Sequence, residues 1–412
     1  MNKLLRILLV FTIIFTTCTV KVPDAFAAVS YSWDSSTKTV TITGSGNMDN
    51  YNTSDKIATW VTKYAATALK IVVSEGITSI GEYAFYNFNK ATSLSLPSSL
   101  KTINSFAFRG CSALTSVTIP EKIETVLDNA FYGCTALKTI NFNAKNCDVM
   151  GTSASSPVFN QCSSVTSLNI GSDVRYIPNY SFVALSGIKT VTIPDNVSYL
   201  GEFSFYGCSA LETVVLSDKL REIRKQAFYN CAKLKNINTP RLLMKIGDRA
   251  FGKCSALTEL TLGPTVTDIG HDAFFSIEST ITLNVVEGSY AHEYAEVYEI
   301  SAEVTEPEYG GGSTVITPTA STDSNITVLN GKLVLDVKFD KELTYECVHI
   351  AFYNSANKVV DYMIIPLTST KKDIYVVTND VASATYAKIF IWDSLESCMP
   401  VSKSERVSIS RP

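Results

Sequence analysis

The chain has little of what most catalytic and metal-binding sites are built from. Three histidines occur in 412 residues, His271, His292 and His349, and they lie far apart. There is no C-x-x-C pair, H-E-x-x-H helix, G-x-S-x-G elbow or phosphate-binding glycine loop, so zinc, hydrolase and nucleotide chemistry find no sequence support. Cys347 and His349 share one face of any strand they occupy, but no orienting partner is indicated and they read as chance neighbours. Positive charge is short as well: 35 Lys+Arg against 39 Asp+Glu give a formal charge of −4, which argues against nucleic acid as a partner. Beyond the N-terminus no run approaches the ~20 apolar residues that a membrane helix needs. No cofactor is expected.

The apolar run from Ile7 to Phe15 follows Lys3 and Arg6 and precedes Ala25-Phe26-Ala27. That order reads as a secretory signal over residues 1–28, cleaved after Ala27. Cys18 offers a lipoprotein alternative, for which Phe15-Thr16-Thr17 is a poor lipobox. Removing the segment takes Lys3, Arg6 and Lys21 against Asp24, so the charge falls from −4 to −6.

What the chain has in abundance is a register. Phe85, Phe108 and Phe131 are 23 residues apart, Phe159 follows after 28, and Phe182, Phe205, Phe228, Phe251 and Phe274 return to 23. The unit from Ile103 to Ile123 carries Ala107-Phe108, Cys111, Leu114, Val117, Ile119-Pro120 and Ile123. Its segment Leu114 to Ile119 has the L-x-x-L-x-L form of a leucine-rich repeat. Each unit is expected to hold one strand, a turn and a short helical segment bearing the Ala-Phe pair. One unit cannot bury its own apolar side, so neighbours must stack into a continuous column. Nine units then make a parallel sheet roughly 40 Å long at about 4.8 Å per strand.

Gly81, Gly201, Gly247 and Gly270 share one register position with Asn104, which predicts a turn needing positive φ; Arg224 and Pro178 at the same register fit that expectation poorly. Cys111, Cys134, Cys162, Cys208, Cys231 and Cys254 each stand three residues after the repeat phenylalanine. Stacked, their Cβ atoms would be parallel and about 5 Å apart, against the converging vectors and ~3.8 Å of a disulfide. They are read as buried thiols, packing as small apolar groups as Leu185 and Ile277 do in their place.

Residues 29–75 read as an N-terminal cap: Trp33 and the alternating Val40 to Thr43 form a hairpin, and Trp60, Tyr64 and Leu69 lead the chain to Ile71-Val72-Val73. Residues 76–300 are the solenoid, ending in an amphipathic helix with Tyr290, Tyr294 and Val297 on its apolar face and Ser289 as N-cap. The Glu-, Pro-, Gly- and Thr-rich stretch within 301–324 reads as a flexible linker. Residues 325–412 carry short alternating runs with an Asn330-Gly331 hairpin signal, expected to form a small all-β sandwich.

With Ile-Gly-x-x-Ala-Phe-x-x-Cys-x-x-Leu-x-x-Val-x-Ile-Pro laid out, residues 31–300 resemble the BspA-like leucine-rich repeat proteins of bacterial surfaces. The resemblance implies an α/β leucine-rich repeat solenoid and a binder or adhesin of host and bacterial proteins. The segment Ile389 to Leu395 with Met399-Pro400 is similar to a short module of secreted Gram-positive proteins.

The expected binding surface comes from the repeat itself. One residue after the phenylalanine stand Tyr86, Tyr132, Tyr206 and Tyr229, and two before it Tyr83, Phe106, Tyr180 and Phe203. Stacking would align them into aromatic columns suited to protein or glycan partners on a host, matrix or bacterial surface, although tyrosine can also be consensus packing. The outward strand positions form a second, uncharged stripe of Ser, Thr and Asn. The expansion Asn143 to Pro157 interrupts both. The chain is therefore read as an exported, non-enzymatic adhesion protein. The alternatives are a secreted enzyme with its site in the C-terminal domain, or a structural wall component.

Overall fold

The computed structural model describes residues 29–305, Ser355 and seven strands between residues 325 and 410. Residues 1–28, read above as a secretory signal, residues 306–324, Asn330-Gly331 and Cys398 lie outside the described residues.

Residues 29–305 form a solenoid of parallel strands, as the repeat requires. Each turn gives one strand to a broad face, such as Ser116–Ile119 and Thr139–Phe142, and a two-residue strand to a narrow face, such as Thr102–Ile103 and Thr125–Val126. Pairing is in repeat register, with Thr139 opposite both Ser116 and Ser167. Along Ser116–Ile119 the side chains alternate: Val117 and Ile119 are buried, Ser116 and Thr118 exposed, so every second residue joins the core.

The repeat phenylalanines are that core. Phe85, Phe108 and Phe131 stack with centroids 5.2 and 5.0 Å apart and nearly parallel planes, and Phe205, Phe228, Phe251 and Phe274 continue at 5.5, 5.7 and 5.9 Å. Burying each ring stabilises by about 1.5–3 kcal/mol, with a further ~0.5–1.5 kcal/mol for the aromatic pair. At the expanded unit the order changes, and Phe182 meets Phe142 edge-on.

The segment around each phenylalanine is a turn, not the short helix expected from sequence. The residue two after every ring adopts left-handed backbone, and so does the residue two before it except Pro157 and Asp272: Phe106 (φ 58°) with Gly110 (φ 78°), Phe203 (φ 56°) with Gly207 (φ 72°), Gln226 (φ 53°) with Asn230 (φ 60°). A right-handed helix cannot continue through them. The backbone instead bonds between turns: the N–H of Phe108 donates to Ala130 O and that of Phe205 to Ala227 O, each at 2.8 Å. Among residues 29–305 the only helices are Thr59–Tyr64 and Tyr290–Val297.

The glycines after Ile or Leu also differ from expectation. Gly81, Gly201, Gly247 and Gly270 are not at positive φ. A Cβ at Gly81 would overlap the Asp49 carbonyl oxygen, and at Gly201, Gly247 or Gly270 it would overlap backbone of the preceding turn. Close approach of two backbones, not turn conformation, selects glycine here. Asn104 fills the register differently, its amide donating to Ser79 Oγ at 3.0 Å and Ile80 O at 2.8 Å.

All seven cysteines of the solenoid are free and buried. The in-register thiols each donate to the carbonyl of a phenylalanine one turn back: Cys111 to Phe85, Cys208 to Phe182 and Cys254 to Phe228, at 3.4, 3.2 and 3.1 Å. Burial pushes the Cys208 and Cys254 thiols up to about 12.

At the N-terminal end, Ser30–Asp34 and Thr39–Thr43 form the expected antiparallel hairpin, and the second strand pairs in parallel with Lys70–Val73. Trp60 closes the column by donating from Nε1 to Ala84 O at 2.7 Å. At the other end Ser289 caps the helix, accepting from the His292 N–H. The helix buries Ala291, Tyr294 and Ala295, whereas Val297 is 58% exposed, so the apolar face sits one position round from the expected one. Ser301–Thr305, assigned by composition to the linker, is a strand paired in parallel with Thr282–Val286. All five of its residues are exposed; backbone pairing holds it, with the Thr305 hydroxyl donating to Val285 O at 3.2 Å.

Among the described residues beyond 325 the structure is all-β. Seven strands follow one hydrogen-bonded order, joined where Asn325–Leu329 meets Glu405–Ser410 through Ile326 opposite Ile409 and Thr327 opposite Ser410. Leu329 opposite Lys332 fits the hairpin read at Asn330-Gly331.

Replacing Phe205 by alanine should destabilise by about 3–5 kcal/mol, because rings above and below prevent the cavity from collapsing, whereas Tyr206→Ala should cost much less; equal shifts in chemical denaturation would refute the inward and outward assignment. Thiol titration of unreduced protein should find the seven solenoid cysteines unreactive when folded and reactive in denaturant, and no gain on unfolding would mean that the column is oxidised.

Candidate functional site

The residue two before each phenylalanine, left-handed in all units but those of Phe159 and Phe274, carries its side chain to the rim of the turn, and the residue after the phenylalanine stands beside it. The structure brings the eight expected residues together in two clusters, not in one continuous stripe. In the first, Tyr83 and Phe106 stack at 5.1 Å, and Tyr86 meets Tyr83 edge-on at 5.9 Å. The Arg109 guanidinium lies 5.8 Å from the Tyr86 ring, 5.6 Å from Phe106 and 5.1 Å from Tyr132. In the second, Tyr180 and Phe203 stack at 5.1 Å, Phe203 meets Tyr206 at 5.7 Å, and Tyr206 stacks on Tyr229 at 5.3 Å. Lys253 also lies over Tyr229, its Nζ 5.5 Å from the centroid.

Between the clusters the same columns hold Asn129, Pro157, Asn160 and Val183. The Asn160 amide donates to Asn129 Oδ1 at 2.9 Å, and Val183 is buried. All eight aromatic residues are half-buried. Their faces are largely used on one another or on a cation, so edges and phenol hydroxyls meet solvent.

The broad strand face is less free than its composition implied. Asn169 donates to Asn141 Oδ1 at 2.8 Å and Asn141 to Thr118 Oγ1 at 3.1 Å, a side-chain ladder along the solenoid. Asn238 turns its amide onto the backbone, accepting from Leu216 N–H at 2.6 Å and donating to Leu216 O at 3.0 Å. The ladder of strands is also interrupted, with Ser167–Ile170 ending one sheet and Thr190–Thr192 starting the next. An open groove of about 600 Å³ follows that break, lined by Ser167, Asn169, Lys189, Thr190 and Thr192 among others. A second of about 460 Å³ lies over Val215, Asn236, Asn238 and Thr261. Both can hydrogen-bond; the second is also lined by Lys235 and Glu259, with Lys235 ion-paired to Glu212 at 3.6 Å.

The expansion between Phe131 and Phe159 is folded into the wall. Val149–Met150 pairs with Thr125–Val126, Cys147 and Met150 are buried, and Asp128 accepts from the Thr152 N–H at 2.6 Å. Sequence reasoning missed a further pair, Tyr176 stacked on Tyr199 at 4.9 Å with the Arg224 guanidinium 3.9 Å from the Tyr199 ring. Their 23-residue spacing was the available signal. Burial and the neighbouring Asp148, which accepts its hydroxyl at 2.7 Å, push the Tyr176 phenol up.

Among the described residues no cluster of three or more His, Cys, Asp or Glu could hold a metal ion, and no helix is long and apolar enough to cross a membrane. His271 bonds Asp272, and His292 Nδ1 accepts from the Gly288 N–H at 3.1 Å. Cys347 and His349 fall on the strand Cys347–Tyr353; their side chains lie outside the described residues.

A family model described as BspA type leucine rich repeat region matches residues 63–154 and 152–281, in six copies. No curated protein matches the chain. Among solved structures, a leucine-rich repeat protein of T. pallidum is 20% identical, with 55% of this chain and 87% of that one covered and a TM-score of 0.33. A leucine-rich cell surface protein of Faecalibacterium prausnitzii is 17% identical over 71% and 95%, with a TM-score of 0.30. A leucine-rich repeat protein of Bacteroides ovatus is 17% identical over 68% and 98%, with a TM-score of 0.28.

Asn238→Ala removes both bonds to Leu216 and should lower stability by about 1–3 kcal/mol; an unchanged denaturation midpoint would return Asn238 to the free surface.

Proposed function

Because the chain belongs to the BspA-type leucine-rich repeat family, we propose that it is an exported, non-catalytic binding protein whose solenoid engages a protein partner at a bacterial, host or matrix surface. The observation that carries this reading is the pair of aromatic clusters on one rim. Tyr83, Phe106 and Tyr132 recur as Tyr180, Phe203 and Tyr229 four units farther on, about 20 Å away at strand spacing. Rigid, half-buried aromatic side chains with polar tips are the groups that dominate protein interfaces. A stretch of nine units offers room for a standard interface of about 800 Å² per partner.

The ring geometry favours protein over glycan. Sugars stack on open aromatic faces, and here Tyr229 is already engaged by both the Tyr206 ring and the Lys253 ammonium. What remains is a set of edges and hydroxyls suited to side chains and peptide groups. The secretory reading of residues 1–28 supplies the location, and the C-terminal strands are assigned to spacing or attachment.

Labelled protein should bind cells or matrix proteins in preference to a glycan array, and the solenoid over residues 29–305 should retain that binding. Joint replacement of Tyr132, Tyr206 and Tyr229 by serine should weaken it at least tenfold, about 1.4 kcal/mol, while the protein stays folded by circular dichroism. Full binding by residues 325–412 alone, or hydrolytic activity lost on changing Cys347 or His349, would overturn the proposal.

A further inference from the structure

Three arginines of the solenoid lie over aromatic rings, and two of them are paired with acids. Arg224, over Tyr199, has Glu222 Oε2 at 3.0 Å, and Arg249, over Phe275, has Asp272 Oδ2 at 2.9 Å. Arg109 differs. Three rings, Tyr86, Phe106 and Tyr132, surround it at 5.1–5.8 Å, and among the described residues no carboxylate comes within ion-pair distance and no acceptor bonds its N–H groups. Asp128, in the next unit, is turned to Thr152. Arg109 is half-buried, so one part of the guanidinium is desolvated by rings while the rest faces water.

Rings attract a cation but satisfy none of its hydrogen bonds. A guanidinium whose neighbours are rings keeps N–H groups free, and its planar fork can be met by a carboxylate with two parallel bonds. Because the rings already restrict the side chain, less entropy is lost when the carboxylate arrives. Resting on the binding reading above, we infer that Arg109 is the anchor of this surface and that the partner segment it takes is an acidic peptide, an Asp or Glu carboxylate flanked by apolar side chains that cover Phe106 and Tyr132. A polyanionic glycan fits less well: the cluster offers one cation, enough for one carboxylate and not for an extended polyanion.

The test is selection of a displayed library of random peptides against the full chain, followed by anisotropy titration of the selected peptides. Recovered peptides should be enriched in Asp or Glu next to an apolar residue. Arg109→Met should weaken their binding at least tenfold and Arg109→Lys by less, since a point charge restores attraction but not the fork. Lys101→Met, which removes a cation from the narrow face of the same unit, should change nothing, and all three variants should melt with the parent chain. Recovery of no peptides, recovery without acidic enrichment, or equal binding by Arg109→Met would overturn the inference, as would heparin binding that depends on Arg109. Should Arg109→Met leave attachment to cells intact while the joint tyrosine variant abolishes it, this inference fails and the broader binding reading survives.

Discussion

The structure depends on a match between two distances. Parallel strands repeat at about 4.8 Å, and aromatic rings stack in an offset arrangement at about 4.5–7 Å between centroids. A phenylalanine placed once per turn can therefore lie on the ring of every neighbouring turn while the strands pair without slip, and the centroid spacings of 5.0–5.9 Å record that compromise. The rest of the turn has one task, which is to bring the chain back to the same point 23 residues later. Apolar residues of several sizes serve at the cysteine position, whereas the ring is kept in all nine units.

Returning the chain so tightly has a conformational cost. Most turns carry two left-handed residues, and each that is not glycine costs roughly 1–2 kcal/mol relative to right-handed backbone. What offsets this is not local. The phenylalanine N–H bonds the next turn, the cysteine thiol bonds the carbonyl of the turn before, and the ring packs on both sides. A single unit would carry the strain without the compensation, which is the physical reason that such units occur in stacks closed by caps.

Periodicity made much of this legible in the sequence. The phenylalanine register, the alternating strands, the thiol column, the entering hairpin around Trp33 and the Ser289 cap all rest on spacing or on one residue's local chemistry, and spacing survives without coordinates. What escaped depends on contacts between turns. Gly201 and Gly247 look like turn glycines until the preceding backbone is seen pressed against them. The Ala-Phe segment reads as helical until its N–H groups are found bonded across turns. Ser301–Thr305 has a linker's composition, and only its pairing with Thr282–Val286 makes it a strand. The eight aromatic residues share a rim as their register implied, and Arg109 stands in the same register between Tyr86 and Tyr132, but spacing alone does not reveal that its guanidinium gathers three of the rings.

The five extra residues between Phe131 and Phe159 connect fold to surface. The extra length is taken up in the narrow face and its loop, tied by Asp128 and by the bond from Tyr176 to Asp148. The phenylalanine column answers by turning Phe182 against Phe142. Just past the expansion the broad sheet breaks, opening the groove at Asn169 and Thr192. On the rim the same stretch holds Asn129, Asn160 and buried Val183 where rings stand elsewhere, so the aromatic surface is divided. A continuous aromatic ladder would be satisfied by its own stacking at every step but its ends. Dividing it doubles the number of ends, and with them the ring edges and phenol hydroxyls that are left to meet a partner.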